Sequence, residues 1–400
     1  MTASRVAATS EHAAHWQLEE GIEFLNHGSF GACPTKILEA QDRWRKRIEL
    51  EPVRFFVHEL EPALDETRRE LGSFLGASPD CLAFVPNATY GVNSILRSLE
   101  LGPQDELLVS NHEYNASRNA LDFVAARTGA RVQVVEIPFP LKSADEVVER
   151  VLGAVNARTR LLLIDHVTSQ TGLVLPIEPI VQELNRRGID TLIDGAHAPG
   201  MVPLELDRLG ATYYTGNCHK WLCTPKGSAL LYVREDRQAR IRPLAISHGA
   251  NSPRSDRSKY LIEFDWTGTI DPTPWLVIPE SIRFLGSLLP GGFEALRKHN
   301  RDLALAARPI VADALGIELP CPDTMIGHLA SFPLPPGKDE APKSSLYVDP
   351  LQDDLMSRWG IEIPIMPWPA PPKRIIRFSA QLYNSLEQYK RLAGALKELL

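Results

Sequence analysis

The sequence predicts an α/β fold: a mainly parallel sheet of the seven-stranded type sandwiched by helices, with a smaller C-terminal α+β domain. Three observations predict it. Residues 81–232 alternate short apolar runs with longer amphipathic segments; the chain turns helical from Trp275; and the last part reads as strands closed by one helix.

In order, the large-domain pairs are CLAFVP with NSILRSLE, ELLVSN with ASRNALDFVAART, VQVVEI with ADEVVERVLGAV, and RLLLIDHV with IEPIVQELNRR, followed by DTLIDGA, ATYYTGN and SALLYV. Runs that are apolar throughout suit strands buried on both faces, and ligands of such sheets bind beyond the carboxyl ends of the strands. SIRFLGSL and FEALRKHNRDLALAARPIVADAL are helical, residues 332–343 are Pro-rich and read as a surface loop, and IEIPIMP, RIIRFSA and LEQYKRLAGALKELL complete the small domain. The expected organisation is a tail at 1–20, a segment at 21–75 packing with the small domain or across the cleft, a large domain at 76–275 and a small domain at 276–400. A chain of 400 residues suits two domains sharing one cleft.

A net charge of −7 argues against a nucleic-acid surface. The N-terminus lacks an apolar stretch of signal-peptide length and the apolar runs elsewhere are strand-sized, so a cytoplasmic protein without a membrane partner is expected. The five cysteines, Cys33, Cys81, Cys218, Cys223 and Cys321, are scattered without a C-x-x-C pair, which suits reduced thiols. Cys218, His219 and Cys223 lack the second pair that would complete a structural zinc site, and no metal is expected.

Three segments carry chemistry. TLIDGAH ends an apolar strand in Asp194, where a carboxylate can pair with a protonated pyridine nitrogen; Gly195 and Ala196 would admit a flat ring, and His197 could reach a phenolic oxygen on it. A helix N-cap is the plain alternative for Asp194. TGNCHKW follows the strand-like run at 211–214 and puts Lys220 at the cleft mouth, where burial beside a cationic ring would make it both a covalent anchor and a base. PNATYGVN opens a helix after CLAFV, and its small and hydroxyl residues offer free N–H groups to a phosphate, although Thr89 could equally be a simple cap. Together these point to pyridoxal 5′-phosphate (PLP). No nucleotide-binding glycine pattern competes.

With LNHGSFGACP, FVPNATYGVNS, NHEYNAS, DHVTSQTGLVLPI, IDGAHAPG, GNCHKWL, DWTGTIDPTPWLVI and IRFSAQLYNS in this order, the chain resembles the class V branch of fold-type I PLP enzymes, and within it the isopenicillin N epimerase-like group, from about residue 21 to the end. The resemblance implies that Lys220 is the Schiff-base lysine, Asp194 the pyridinium partner and His197 the group near the ring oxygen. It likewise implies phosphate or ring contacts from Ala88, Thr89, Asn217, His219 and Ser169, the last standing where many relatives have asparagine. Thr269 resembles a threonine lent to the neighbouring subunit's phosphate, which implies a homodimer with shared active sites. Arg377 resembles the arginine that grips the substrate α-carboxylate, with His27 and Ser29 on the substrate side, and His112 or Tyr114 should cover the other ring face.

The expected reaction starts with removal of the α-proton of an amino-acid substrate by Lys220. Epimerisation leads among the branches because the resemblance does, with Tyr114 or His112 as the opposite-face donor. C–S lysis through β-elimination is the alternative, ahead of transamination and of an inactive binding protein. Persulfide chemistry of the desulfurase kind is disfavoured, since no cysteine follows Cys321.

Overall fold

The computed structural model describes residues 7–337 and 349–400. Its twelve strands are β1 (Glu23–Phe24), β2 (Leu82–Val85), β3 (Glu106–Ser110), β4 (Arg131–Val135), β5 (Thr159–Asp165), β6 (Asp190–Asp194), β7 (Tyr213–Asn217), β8 (Ala229–Val233), β9 (Leu329–Leu334), β10 (Ile361–Glu362), β11 (Ile365–Pro367) and β12 (Arg374–Ser379). The central sheet has seven strands in the order β2-β8-β7-β6-β5-β3-β4, and β8 alone runs against the others. Each apolar run of the large domain is one of these strands, and the amphipathic segments between them are helices Ala88–Ser98, Asn115–Thr128, Ala144–Ala154 and Ile177–Arg186.

Alternation along the strands explains why the runs are apolar throughout. Leu107, Val109, Leu161, Leu163 and Leu192 face a core that includes Val92, Ile95, Leu121 and Val124. Leu108, Leu162, Ile164 and Ile193 face the opposite core with Val147, Ile180 and Leu184. With both faces covered, neither parity of the strand can be polar until the strand ends. The first polar side chains of β5 and β6 at that edge are Asp165 and Asp194, which are direct register partners.

In the small domain β9, β12 and β11 form an antiparallel sheet, and helix Leu386–Leu399 packs on helix Gly292–Leu315. Phe332, Pro333 and Leu334 belong to β9, so the start of the Pro-rich stretch is a strand and not a loop; residues 338–343 of that stretch lie outside the described residues. The period of two is short there and Pro333, facing its register partner Ile375, was the misleading signal.

The segment at 21–75 contacts several parts of the chain. β1 pairs in parallel with β10 of the small domain, whereas helix Leu60–Leu75 packs on β2 and on helix Ile278–Ser287. Residues 7–20 are also anchored: the Ser10 N–H donates to the Tyr383 carbonyl at 3.2 Å, and buried Trp16 packs edge-on against Tyr383 with ring centroids 5.2 Å apart.

Leu163 sits in the middle of β5 with no exposed surface. Leu163→Ala should cost roughly 2–5 kcal/mol by loss of burial and creation of a cavity, read as a lower denaturant midpoint at unchanged slope.

Candidate active site

The site is built on the carboxyl edge of the sheet. Asp194 closes β6, is 1% exposed, and accepts hydrogen bonds from the Ser117 hydroxyl at 2.8 Å and from the Ala196 N–H at 3.0 Å. Burial raises its pKa, while Ser117, the Ala196 amide and Lys220 oppose the rise. At Gly195 a Cβ would lie 2.3 Å from the Tyr214 ring and hydroxyl, so the missing side chain makes room for Tyr214.

Lys220 lies three residues beyond the end of β7, in a tightly held turn. Its carbonyl accepts a hydrogen bond from His27 Nε2 at 2.9 Å, and His27 Nδ1 meets the Tyr383 hydroxyl at 2.9 Å. Gly31, with φ of 71°, lets the neighbouring segment pass; a Cβ on it would stand 2.0 Å from the His219 carbonyl. His27 is thus turned toward the backbone of the lysine turn, and burial lowers its pKa to about 3.

The Lys220 amine meets His197 Nε2 at 2.9 Å, and the Trp221 indole donates to His197 Nδ1 at 3.4 Å. An indole N–H can only donate, so Nδ1 accepts and the imidazole proton sits on Nε2, pointing at the amine. That bond needs the lone pair of a neutral amine. Burial, with Arg377 as a second cause, indeed lowers the Lys220 pKa to about 7, against the raising pull of Asp194 and Asp165.

A separate corner forms where helix Ala88–Ser98 begins. The Ala88 N–H donates to Asn217 Oδ1 at 2.9 Å, Asn87 caps the helix by accepting from the Tyr90 N–H at 2.9 Å, and the half-buried Thr89 hydroxyl has no partner among the described residues. His219 is tied to the Ser228 carbonyl at 3.0 Å nearby in sequence, and burial lowers its pKa to about 4.

Arg377, on β12, is 2% exposed and faces no carboxylate partner in its hydrogen bonds. It donates to the Ser169 carbonyl and, at 3.1 Å, to the Ser29 hydroxyl, and its Nε has no partner. Burial lowers its pKa to about 10, offset by Tyr114. A buried guanidinium bound only to neutral groups is poised for an incoming anion.

His112 and Tyr114 are placed differently. His112 is fully buried, accepts at Nδ1 from the Thr171 hydroxyl at 2.7 Å, and donates from Nε2 to the Ile137 carbonyl at 3.0 Å. Burial lowers its pKa to about 4, so it is a neutral ring with both nitrogens occupied. Tyr114 is 41% exposed at the start of helix Asn115–Thr128. Thr269 is exposed and has no hydrogen bond to these groups among the described residues.

Sequence reasoning passed over several neighbours. Glu113 and Asp165 are buried with oxygens within 4.8 Å of one another and of Asp194, and Trp368 packs on His112 at 4.6 Å between centroids. HEYN and IDHV contained the two acids, but a carboxylate on either side of a histidine carries no mark of burial. Among the described residues this acidic trio is the grouping close enough to hold a metal; Cys218 and Cys223 lie buried outside it, and Cys321 is bound up with Arg308. No helix among the described residues is long and apolar enough to cross a membrane.

Comparison with known proteins shows the family. Residues 9–392 match the family aminotransferase class V. An isopenicillin N epimerase of Amycolatopsis lactamdurans is 36% identical over 96% of each chain. A probable chloroplastic L-cysteine desulfhydrase of Arabidopsis thaliana is 30% identical over 94% of this chain and 82% of its own. The solved structure of a C-DES mutant with glycine covalently linked to the PLP cofactor superposes with a TM-score of 0.79 at 20% identity, covering 96% of this chain and 99% of the other.

In the cofactor-free protein, selective labelling of Lys220 should titrate with a midpoint near 7. Asp194→Asn should move the midpoint down, because the carboxylate favours the ammonium, and Arg377→Gln should move it up. A midpoint near the ordinary lysine value of about 10.4 would contradict the assignment.

Proposed function

Because the chain belongs to the class V aminotransferase family, whose enzymes depend on PLP, we propose that it acts at the α-carbon of an amino acid as an epimerase of the isopenicillin N epimerase type. The observation that carries this reading is the buried Lys220 amine, held near neutrality beside His197 and across from the unpaired Arg377.

The residues fit the cofactor. Lys220 would anchor it, Asp194 would hold the ring nitrogen, His197 Nε2–H would face the ring oxygen, and Ala88, Thr89, Asn217 and His219 would surround the phosphate, with the flat neutral ring of His112 above. Ser169, whose carbonyl engages Arg377, lines the same cleft. PLP, when bound, supplies an electron sink for the pair left at the α-carbon by proton loss.

The chain's own part is to place the substrate and move protons. Arg377, supported by Ser29, receives the α-carboxylate and so orients the α-hydrogen. Lys220 Nζ, with a pKa lowered to about 7 and so available in its neutral form near that pH, takes that proton. His27 serves this step at one remove, by holding the Lys220 carbonyl. Return of a proton on the opposite face needs a second group. His112 has both nitrogens committed, which leaves the Tyr114 hydroxyl, close enough to Arg377 to perturb it, as the donor.

A second reading rests on the same residues. C–S lysis would use Tyr114 to protonate a leaving sulfur, and it is favoured by the likeness to the Arabidopsis desulfhydrase. Inversion of the α-centre without release of pyruvate or sulfide separates the two. We further propose a homodimer in which Thr269 reaches the partner's phosphate site, supported by its exposure beside Ile270 and by exposed Leu50, Val53, Val57 and Ile246.

Lys220→Ala should abolish turnover and borohydride-stable attachment of the cofactor while leaving the fold intact; attachment at another lysine would contradict the role. Tyr114→Phe should still exchange the substrate α-proton with solvent deuterium but lose roughly a hundred- to ten-thousand-fold in product formation. Parallel loss of both activities would reduce Tyr114 to positioning the substrate.

A further inference from the structure

We propose that Glu113 and Asp165 are proton-holding positioning acids, each neutral in the working protein, so that Asp194 carries the single negative charge of a buried carboxylate triad. The functional consequence rests on the PLP reading above; the protonation itself does not.

Geometry carries the inference. The carboxylate oxygens of Glu113, Asp165 and Asp194 lie within 4.8 Å of one another, and the residues are 6%, 3% and 1% exposed. Their hydrogen bonding is unequal. Asp194 accepts from Ser117 and from the Ala196 amide, whereas neither Glu113 oxygen, nor Asp165 Oδ2, has a partner. A buried ionised carboxylate without a donor is strongly disfavoured, and three adjacent ones are worse. Protonation removes the repulsion and turns an unpartnered acceptor into a donor. A hydrogen on Glu113 has an acceptor close by in Ser117 Oγ, whose own hydrogen goes to Asp194, so the three groups form a relay that ends on the ionised acid.

The groups facing the triad come from each element packed on it. The Ser117 hydroxyl and Tyr114 amide come from the start of helix Asn115–Thr128, and the Tyr214 phenol, itself bonded to His166 at 2.9 Å, comes from β7. Lys220 comes from the turn after β7. Burial raises both Glu113 and Asp165 well above their ordinary values and the neighbouring carboxylates raise them further, against a smaller lowering pull from the Tyr114 amide and Ser117 hydroxyl on Glu113 and from Lys220 on Asp165. Were all three ionised, their field would hold Lys220 as an ammonium and remove the base. Two neutral acids leave one charge, enough for one ring nitrogen.

The test uses the wild-type protein first. Freed of cofactor, at pH 7 to 8, it should show an infrared carbonyl-stretch band of buried protonated carboxyl that shrinks in Glu113→Gln and in Asp165→Asn. A folded glutamate with a raised pKa contributes stability below its ordinary value and loses it as pH rises toward the raised one. Glu113→Gln escapes that loss, so its folding equilibrium constant relative to wild type should grow up to tenfold per pH unit across that window. The Asp165→Asn band serves if Glu113→Gln does not fold. Absence of the wild-type band, a pH-independent ratio, or a cation found by metal analysis in wild type and lost in the variants would each overturn the proposal. Failure of the PLP reading would show instead as a purified holoprotein without visible cofactor absorbance, whatever the band does.

Discussion

Taking a lysine ammonium out of water is unfavourable unless an anion accompanies it, and here the amine bonds His197 while burial and Arg377 outweigh the pull of Asp194 and Asp165. The shift of Lys220 from 10.5 to about 7 disfavours the ammonium, relative to an exposed lysine, by on the order of 5 kcal/mol. The rest of the site depends on that dry position. His27, Gly31 and Trp221 contribute by shape and hydrogen bonding: they hold the lysine turn and orient His197, whose Nε2–H then meets the amine lone pair.

The charges are sorted by domain. The acids stand on the large-domain sheet edge, where two-sided burial of the strands leaves the strand ends as the place for polar side chains. The guanidinium arrives from β12 of the small domain and is held by Ser169 of the large domain and Ser29 of the N-terminal segment. An anion bound to Arg377 would therefore engage all three parts of the chain at once, and cleft geometry is coupled to substrate binding through one side chain.

Reaction choice depends on far less. In the proposed reaction, proton removal would use the buried machinery, whereas the step that follows would use an acid on the opposite side. His112, boxed between Thr171, the Ile137 carbonyl and the Trp368 ring, is fixed as a surface. Tyr114 keeps exposure and freedom to meet different substrates. Relatives named isopenicillin N epimerase and L-cysteine desulfhydrase are both similar to this chain over nearly its whole length.

By itself the sequence determined the alternation of strands and helices, since apolar runs flanked by amphipathic segments are a local pattern, and it marked Asp194 and Lys220, since each follows a strand whose end must lie at the cleft. Three-dimensional packing decided what local pattern cannot carry. Register brought Asp165 beside Asp194, 29 positions further along the chain, and the turn before helix Asn115–Thr128 added Glu113 from a third segment. Gly195 proved to make room for Tyr214, and the Pro-rich stretch began inside a strand, because the partner across a contact comes from a distant part of the chain. Protonation followed the same rule: whether a carboxylate, amine or imidazole carries its charge is set by burial and by neighbours in space, and neither is written in the residues on either side.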